Sequence, residues 1–194
     1  MIVGVLALQG AFAKHLQAIR ALGVEAKEVR MPKDLERCDA LIIPGGESTV
    51  IGQILEKAGL REPLLQFARE KPVFGTCAGL ILMSQTIIAD SLFPFGLLDI
   101  SVERNAYGRQ IESFASEISF NAPHSKSISV PALFIRAPRI RRVGPAVQVI
   151  GTYGQEPVLV LQGHCLGATF HPELTENLSI HRYFLSLIVT PNKN

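Results

Sequence analysis

A chain of 194 residues with a net charge of +2 is long enough to bury a sheet between two helical layers, and it carries too little positive charge to argue for a nucleic-acid partner. Its three cysteines, Cys38, Cys77 and Cys165, lie far apart with no Cys-x-x-Cys pair, which argues against a disulfide framework or a zinc site and suits a reducing, cytoplasmic compartment. The apolar N-terminus lacks a basic leader and a cleavage pattern and is too short to span a membrane, so no membrane association is expected. No repeat or low-complexity linker interrupts the chain, and residues 1–194 are read as one domain.

Residues 2–8 have no polar interruption, as in a strand buried on both faces. Residues 11–22 follow with Phe12, His15, Leu16, Ile19 and Leu22 at helical spacing, and Gly23 ends the helix. Residues 24–29 alternate apolar and charged, the pattern of a strand nearer the sheet edge, and residues 40–43 form another buried strand. This β-α-β order predicts right-handed parallel winding. After it comes Pro44-Gly45-Gly46-Glu47-Ser48-Thr49, ahead of a second apolar helical face. Two glycines there allow successive N–H groups to point into one concavity, serving a phosphate, an oxyanion or nothing beyond a turn capped by Ser48 or Thr49. The spacing fits neither a P-loop nor Gly-x-Gly-x-x-Gly.

A helix over residues 62–70 leads to Val73-Phe74-Gly75-Thr76-Cys77-Ala78-Gly79, a short strand running into a helix through a cysteine flanked by small residues. Gly75-Thr76-Cys77-Ala78-Gly79 fits the Gly-x-Ser-x-Gly elbow with sulfur for oxygen, a turn that stands its central side chain above the sheet edge. The alternative is a buried cysteine that packs as a small hydrophobe. From residue 87 to about 149 the pattern changes to short strand candidates, at 98–104, 111–120 and 132–135, expected to form an antiparallel elaboration. Arg136, Arg139, Arg141 and Arg142 cluster on an expected loop, either a solvated surface or a dock for an acidic partner. Residues 158–161 and 165–170 read as a hairpin, with His164 solvated in its turn, leading into His171-Pro172-Glu173, and a helix over residues 177–188 closes the chain.

A thiol needs an imidazole within hydrogen-bond reach and a third group to orient that imidazole. His171 and Glu173, two apart in extended geometry and stiffened by Pro172, offer both directly after a strand. Of the other histidines, His15 sits on a helix, while His124, His164 and His181 lack a carboxylate at comparable spacing and setting. A structural role for a histidine at a strand end stays open on these residues alone.

Together the cysteine elbow, the diglycine turn and His-Pro-Glu resemble the class I, triad-type glutamine amidotransferases, and among them the glutaminase subunits of pyridoxal 5′-phosphate synthases. The resemblance covers nearly the whole chain: Leu8-Gln9-Gly10 with His15, the Gly-Gly-Glu-Ser turn, the Cys77 elbow, Arg104-Asn105-Ala106-Tyr107-Gly108-Arg109-Gln110, Phe134-Ile135-Arg136-Ala137-Pro138 and Phe170-His171-Pro172-Glu173-Leu174. Tyr107 stands where the family pattern expects Phe.

The resemblance implies a three-layer, flavodoxin-like α/β fold with a mostly parallel central sheet and a small antiparallel elaboration. It implies that L-glutamine is hydrolysed through Cys77, His171 and Glu173, with Gly46 and Ala78 N–H groups at the oxyanion and Gly46, Glu47, Ser48, Arg104, Ile135 and Arg136 around the substrate. No cofactor and no metal are implied. The partner implied is a synthase (lyase) subunit, in a large multi-subunit complex, that uses the ammonia with ribose 5-phosphate and glyceraldehyde 3-phosphate; Gln9, Gly10 and Gly45 would lie at its interface. A glutaminase serving another synthase, a γ-glutamyl peptidase and a non-catalytic scaffold are the rival readings; the last would have lost Cys77, His171 or Glu173, and all are present.

Overall fold

Strand β1 (Ile2–Leu6) pairs in parallel on both sides, with β2 (Glu25–Val29) and with β3 (Ala40–Ile43), and so becomes an interior strand as its unbroken apolar run requires. Helix α1 (Phe12–Ala21) makes the first crossover, the short α2 (Pro32–Leu35) lies in the second, and β2 takes the sheet edge, where its charged side chains reach water. The computed structural model describes residues 1–90, 92–106, 113–123 and 126–188. Residues 107–110 of the Arg-Asn motif, the first residues of the strand expected at 111–120, and His124 lie outside the described residues.

Next in order are α3 (Ser48–Lys57), α4 (Arg61–Glu70), β4 (Val73–Thr76) and α5 (Ala78–Met83). Strands β5 (Ser84–Ile87), β6 (Leu98–Glu103), β7 (Ser113–Phe120), β8 (Ile128–Ile135) and β9 (Arg139–Val143) follow, then β10 (Gln148–Tyr153), β11 (Glu156–Gln162) and β12 (Cys165–Ala168). A 3₁₀ turn (Pro172–Leu174) and α6 (Ser179–Ser186) complete the described chain. The main sheet has nine strands in the order β2-β1-β3-β4-β12-β11-β10-β7-β8. It is parallel from β2 to β12 and antiparallel from β12 to β8, so the antiparallel elaboration largely extends the same sheet. A separate sheet of three strands, β5-β6-β9, packs beside it.

Alternation along the central strands divides the core in two. Ala40 and Ile42 of β3, Val3 and Val5 of β1 and Phe74 of β4 face α1 and α6, meeting Leu16, Ile19, Ile180 and Phe184. Leu41, Ile43, Leu6 and Val73 face the other layer, with Ile51 and Leu55 of α3, Leu64 of α4 and Leu80 of α5. Phe74 and Phe184 are fully buried, each worth about 1.5–3 kcal/mol in transfer terms. The result is the three-layer α/β architecture expected from the sequence.

Several local expectations are corrected. The arginines at 139, 141 and 142 are on strand β9, which pairs antiparallel with β6. Neighbouring strands supply acids for them: Arg139 meets Glu156 at 3.2 Å, Arg141 meets Glu103 at 2.6 Å and Arg142 meets Asp99 at 2.6 Å. Their charge is answered within the fold, which favours the solvated-surface reading of these three arginines. The N-cap of α3 is neither Ser48 nor Thr49 but Glu47, whose two carboxylate oxygens accept from the N–H groups of Thr49 (3.2 Å) and Val50 (2.9 Å). His164 is not simply solvated, because its Nε2 bonds the Ala68 carbonyl of α4 at 2.8 Å. His171-Pro172-Glu173 is not extended: His171 precedes the 3₁₀ turn, whose first position suits proline's fixed φ.

Candidate active site

Strands β3, β4 and β12 are adjacent and parallel, so the loops leaving their carboxyl ends meet at one sheet edge. From β3 comes Gly45-Gly46-Glu47, from β4 comes Cys77, and from β12 comes His171. Cys77 has φ 49° and ψ −101°, a backbone conformation that L-residues rarely hold. Its N–H bonds the Ala168 carbonyl at 2.8 Å, and its carbonyl accepts from Ile81 N–H at 3.1 Å. A Cβ on Gly79 would strike the Ile43 carbonyl, and one on Gly75 would strike Met83 Sδ and the Gly79 backbone. The small residues of the elbow therefore let α5 close onto β3 and β4 and aim Cys77 out of the turn.

Cys77 Sγ lies 3.7 Å from the Ile135 carbonyl, at the end of β8, and the Cys77 and His171 side chains both crowd the Gly45 backbone, where an added Cβ would meet each of them. His171 Nδ1 is 2.7 Å from Glu173 Oε1, and the His171 backbone N–H bonds the Leu133 carbonyl at 2.8 Å. Burial disfavours a charge on His171, but the hydrogen bonds and negative charge of Cys77 and Glu173 outweigh it and push its pKa up to about 10. Glu173 is driven upward by burial and more strongly downward by His15 and by the His171 hydrogen bond, so its carboxyl stays below the usual range. Such an arrangement sets the His171 ring between the Cys77 side chain and a carboxylate, the order of groups a cysteine nucleophile requires.

The diglycine turn is clamped by the loop before α1. Gly45 accepts from Ala11 N–H at 3.2 Å, and Gln9 Oε1 accepts from Glu47 N–H at 2.8 Å. Gly10 has φ +92° and its missing Cβ is the space that the Gly45 carbonyl occupies. Arg104, from the end of β6, donates to Glu47 Oε1 at 3.0 Å, Asp90 Oδ2 at 2.6 Å and Thr49 Oγ1 at 3.3 Å. Ser48 is buried and its hydroxyl has no hydrogen-bond partner among the described residues. With Glu47 capping the helix, the Ser48 hydroxyl is not used as a cap, and that of Thr49 accepts from Arg104. Arg136 has φ 43° and turns the chain sharply after Ile135. Of the residues named from sequence, Cys77, His171, Glu173 and Ile135 meet in one cluster, Arg104 and Glu47 in a second, and Gln9, Gly10 and Gly45 in the clamp beside them. Among the described residues, no cluster of three His, Cys, Asp or Glu side chains is arranged to hold a metal ion.

A model of the SNO glutamine amidotransferase family matches residues 5–190. The chain belongs to that family. The pyridoxal 5′-phosphate synthase subunit PdxT of Pelotomaculum thermopropionicum is 49% identical over 100% of this chain and 98% of that protein. PdxT of Geobacillus kaustophilus is 47% identical over 97% of this chain and 95% of its own. A crystal structure described as a glutamine amidotransferase superposes with a TM-score of 0.90 at 45% identity, covering 97% of this chain and 99% of the other.

In this amidotransferase the structure also brings in residues the sequence did not single out. Asp90 reaches Arg104 from a stretch that carries no motif. His15 of α1, given no part in the chemistry by its sequence setting, has Nε2 at 3.3 Å from Glu173 Oε2 and 3.1 Å from Thr76 Oγ1, and its Nδ1 is 3.0 Å from His181 Nε2. Both rings are fully buried, and burial pushes their pKa values down, His15 to about 4 and His181 to about 3. Near neutral pH His15 is therefore uncharged and acts on Glu173 as a dipole. Spacing could not reveal these contacts, because residues 15, 76, 173 and 181 meet only in the folded chain.

Proposed function

We propose that this chain is the glutaminase subunit of a pyridoxal 5′-phosphate synthase, hydrolysing L-glutamine to glutamate and ammonia with Cys77, His171 and Glu173. The observation that carries the reading is the contact of Glu173 Oε1 with His171 Nδ1, which leaves the other ring nitrogen for a cysteine on a positive-φ turn. Cys77 thiolate attacks the side-chain amide carbon, and the N–H groups of Gly46 and Ala78 receive the oxyanion, each worth about 3 kcal/mol. His171 protonates the departing ammonia, leaving a γ-glutamyl thioester, and then takes a proton from the water that cleaves it. Glu173 keeps the ring oriented throughout and fixes its tautomer whenever it is neutral.

Arg104 takes the substrate α-carboxylate through its planar fork. Glu47 and Asp90, already beside it, leave the cluster net negative, which suits the α-ammonium of the same molecule. The unpartnered Ser48 hydroxyl and the backbone at Ile135 and Arg136 complete the substrate contacts. No cofactor takes part in these steps.

Ammonia protonates at neutral pH and ceases to be a nucleophile, so hydrolysis is useful only where a synthase subunit receives it. The names of the relatives support that partner. In this reading the chain is a single domain that works in the cytoplasm within a large multi-subunit complex, bound to neither nucleic acid nor membrane. The three cysteines are free, and among the described residues no helix is long and apolar enough to cross a membrane. Docking at Gln9 and Gly10 acts on the Gly45–Gly46 peptide, whose carbonyl Ala11 holds and whose N–H therefore points the opposite way. Turnover should rise when the synthase is added; equal rates with and without it would remove the activation step.

The deciding experiment supplies amide-¹⁵N glutamine, ribose 5-phosphate and glyceraldehyde 3-phosphate to the chain with its synthase. Label is expected in pyridoxal phosphate and should vanish with Cys77→Ala, while added ammonium restores product. Unlabelled product, or label transfer that survives Cys77→Ala, would overturn the assignment.

A further inference from the structure

Glu173 uses one oxygen on His171, and its other oxygen, Oε2, is buried with no well-aligned hydrogen-bond donor among the described residues. The polar atom that faces it is His15 Nε2, at 3.3 Å and off the ideal direction because the same nitrogen also points at Thr76 Oγ1, 3.1 Å away. Thr76 immediately precedes Cys77, so one ring of α1 bridges the strand that presents the nucleophile and the turn that presents the carboxylate. Its partners fix its protonation state. If His181 carried its proton on Nδ1, that N–H would be buried without an acceptor, since Nδ1 has no partner among the described residues. With the proton on His181 Nε2 instead, it donates to His15 Nδ1, and His15 must then carry its own proton on Nε2, facing Glu173 and Thr76.

We propose that His15 is a positioning residue of the glutaminase site: its Nε2–H, shared between Thr76 Oγ1 and Glu173 Oε2 and fixed in tautomer by His181, holds Glu173 in the rotamer that orients His171. The inference rests on the triad reading above. Every titratable group that packs against the ring is accounted for: His181 from α6, Glu173 from the 3₁₀ turn and His171 behind it. Phe74 meets the ring edge-on and Thr76 bonds it, so no second acid competes for Nε2. The downward displacement of the His15 pKa agrees with a neutral donor, and a partly aligned contact is what a substrate-free site offers before it tightens on the reacting species.

The test compares glutamine hydrolysis by the chain with its synthase for wild type, His15→Phe, His15→Gln and His15→Asn, across pH. A glutamine amide reaches the place of imidazole Nε2, whereas an asparagine amide reaches only that of Nδ1. His15→Phe should lower kcat by roughly 10- to 100-fold, the range seen when the outer partner of a functional histidine is removed, with KM unchanged. It should also move the acid limb of the pH profile to higher pH, because Glu173 without an N–H at Oε2 protonates more readily. His15→Gln should restore both quantities and His15→Asn should not; this pair decides the matter even if the phenylalanine variant folds poorly. The proposal is overturned if His15→Phe keeps wild-type kcat and acid limb, if Gln and Asn behave alike, or if lost activity follows lost folded protein with the limb unmoved. Cys77→Ala run alongside separates the layers: an inactive Cys77→Ala with normal His15 variants removes this inference alone, whereas an active one removes the triad reading with it.

Discussion

At Cys77 the chain holds a non-glycine residue in a conformation that costs on the order of 1–3 kcal/mol, and the surrounding bonds impose it. The strain aims the thiol at His171 and at the position of a substrate carbonyl. A reversal of the usual side-chain order follows. Alanine normally exceeds glycine in stability by roughly 0.5–1 kcal/mol in regular structure, but at φ 49° a Cβ is the liability. Cys77→Gly should therefore unfold at higher urea than Cys77→Ala, by about 1–2 kcal/mol, with both inactive. Equal midpoints would mean the turn is not strained. Gly79 tests the same elbow from the other side, since a Cβ there meets the Ile43 carbonyl, a backbone atom that cannot rotate away. Gly79→Ala should cost about 1–3 kcal/mol and depress kcat by displacing Cys77, both read from one purified variant.

Helix α1 and the loop before it touch both working parts of the site: Ala11 and Gln9 clamp the diglycine turn, and His15 faces Glu173. Gly10 is the tight point of this clamp. Gly10→Ala should push the Gly45 carbonyl aside and lower kcat by about 10²-fold, the effect of losing an oxyanion donor, with a well-formed fold by circular dichroism. A loss confined to KM would place the clamp in substrate binding instead. These contacts also explain what was legible beforehand. Parallel strands announced themselves through unbroken apolar runs such as Leu41-Ile42-Ile43, and Cys77, His171 and Glu173 through local spacing along the chain. Strand β9 did not, because its arginines read as loop until Glu103, Asp99 and Glu156 arrived from β6 and β11 to answer them. The Glu47 N-cap of α3 is not legible beforehand, because a glutamate's reach to two N–H groups is not a property of its place in the sequence. Asp90 and the His15–His181 pair were invisible for the same reason, as their partners are distant in the chain.

Over the molecule as a whole, α1 and α6 seal one face of the sheet around two uncharged histidines, and this ties global stability to pH. Burial pushes His15 down to about 4 and His181 to about 3, from an ordinary 6.5 in the unfolded chain. Between 6.5 and the folded values the unfolded chain binds more protons, so stability rises with pH there. The contribution of these rings is complete above 6.5 and is lost as pH falls through that window. Glu173 acts in the same direction but lower, since its depressed pKa matters only below its ordinary 4.5. Urea midpoints measured across this range should fall steadily toward acid. His181→Phe should flatten the slope by about one proton, or ~1.4 kcal/mol per pH unit. Added salt separates this from the surface: it weakens exposed pairs such as Arg141–Glu103 but leaves the histidine slope intact, because no counter-ion reaches the buried rings. A slope that disappears in salt, or survives unchanged in His181→Phe, would assign the acid sensitivity to surface carboxylates and leave the layer between α1 and α6 indifferent to pH.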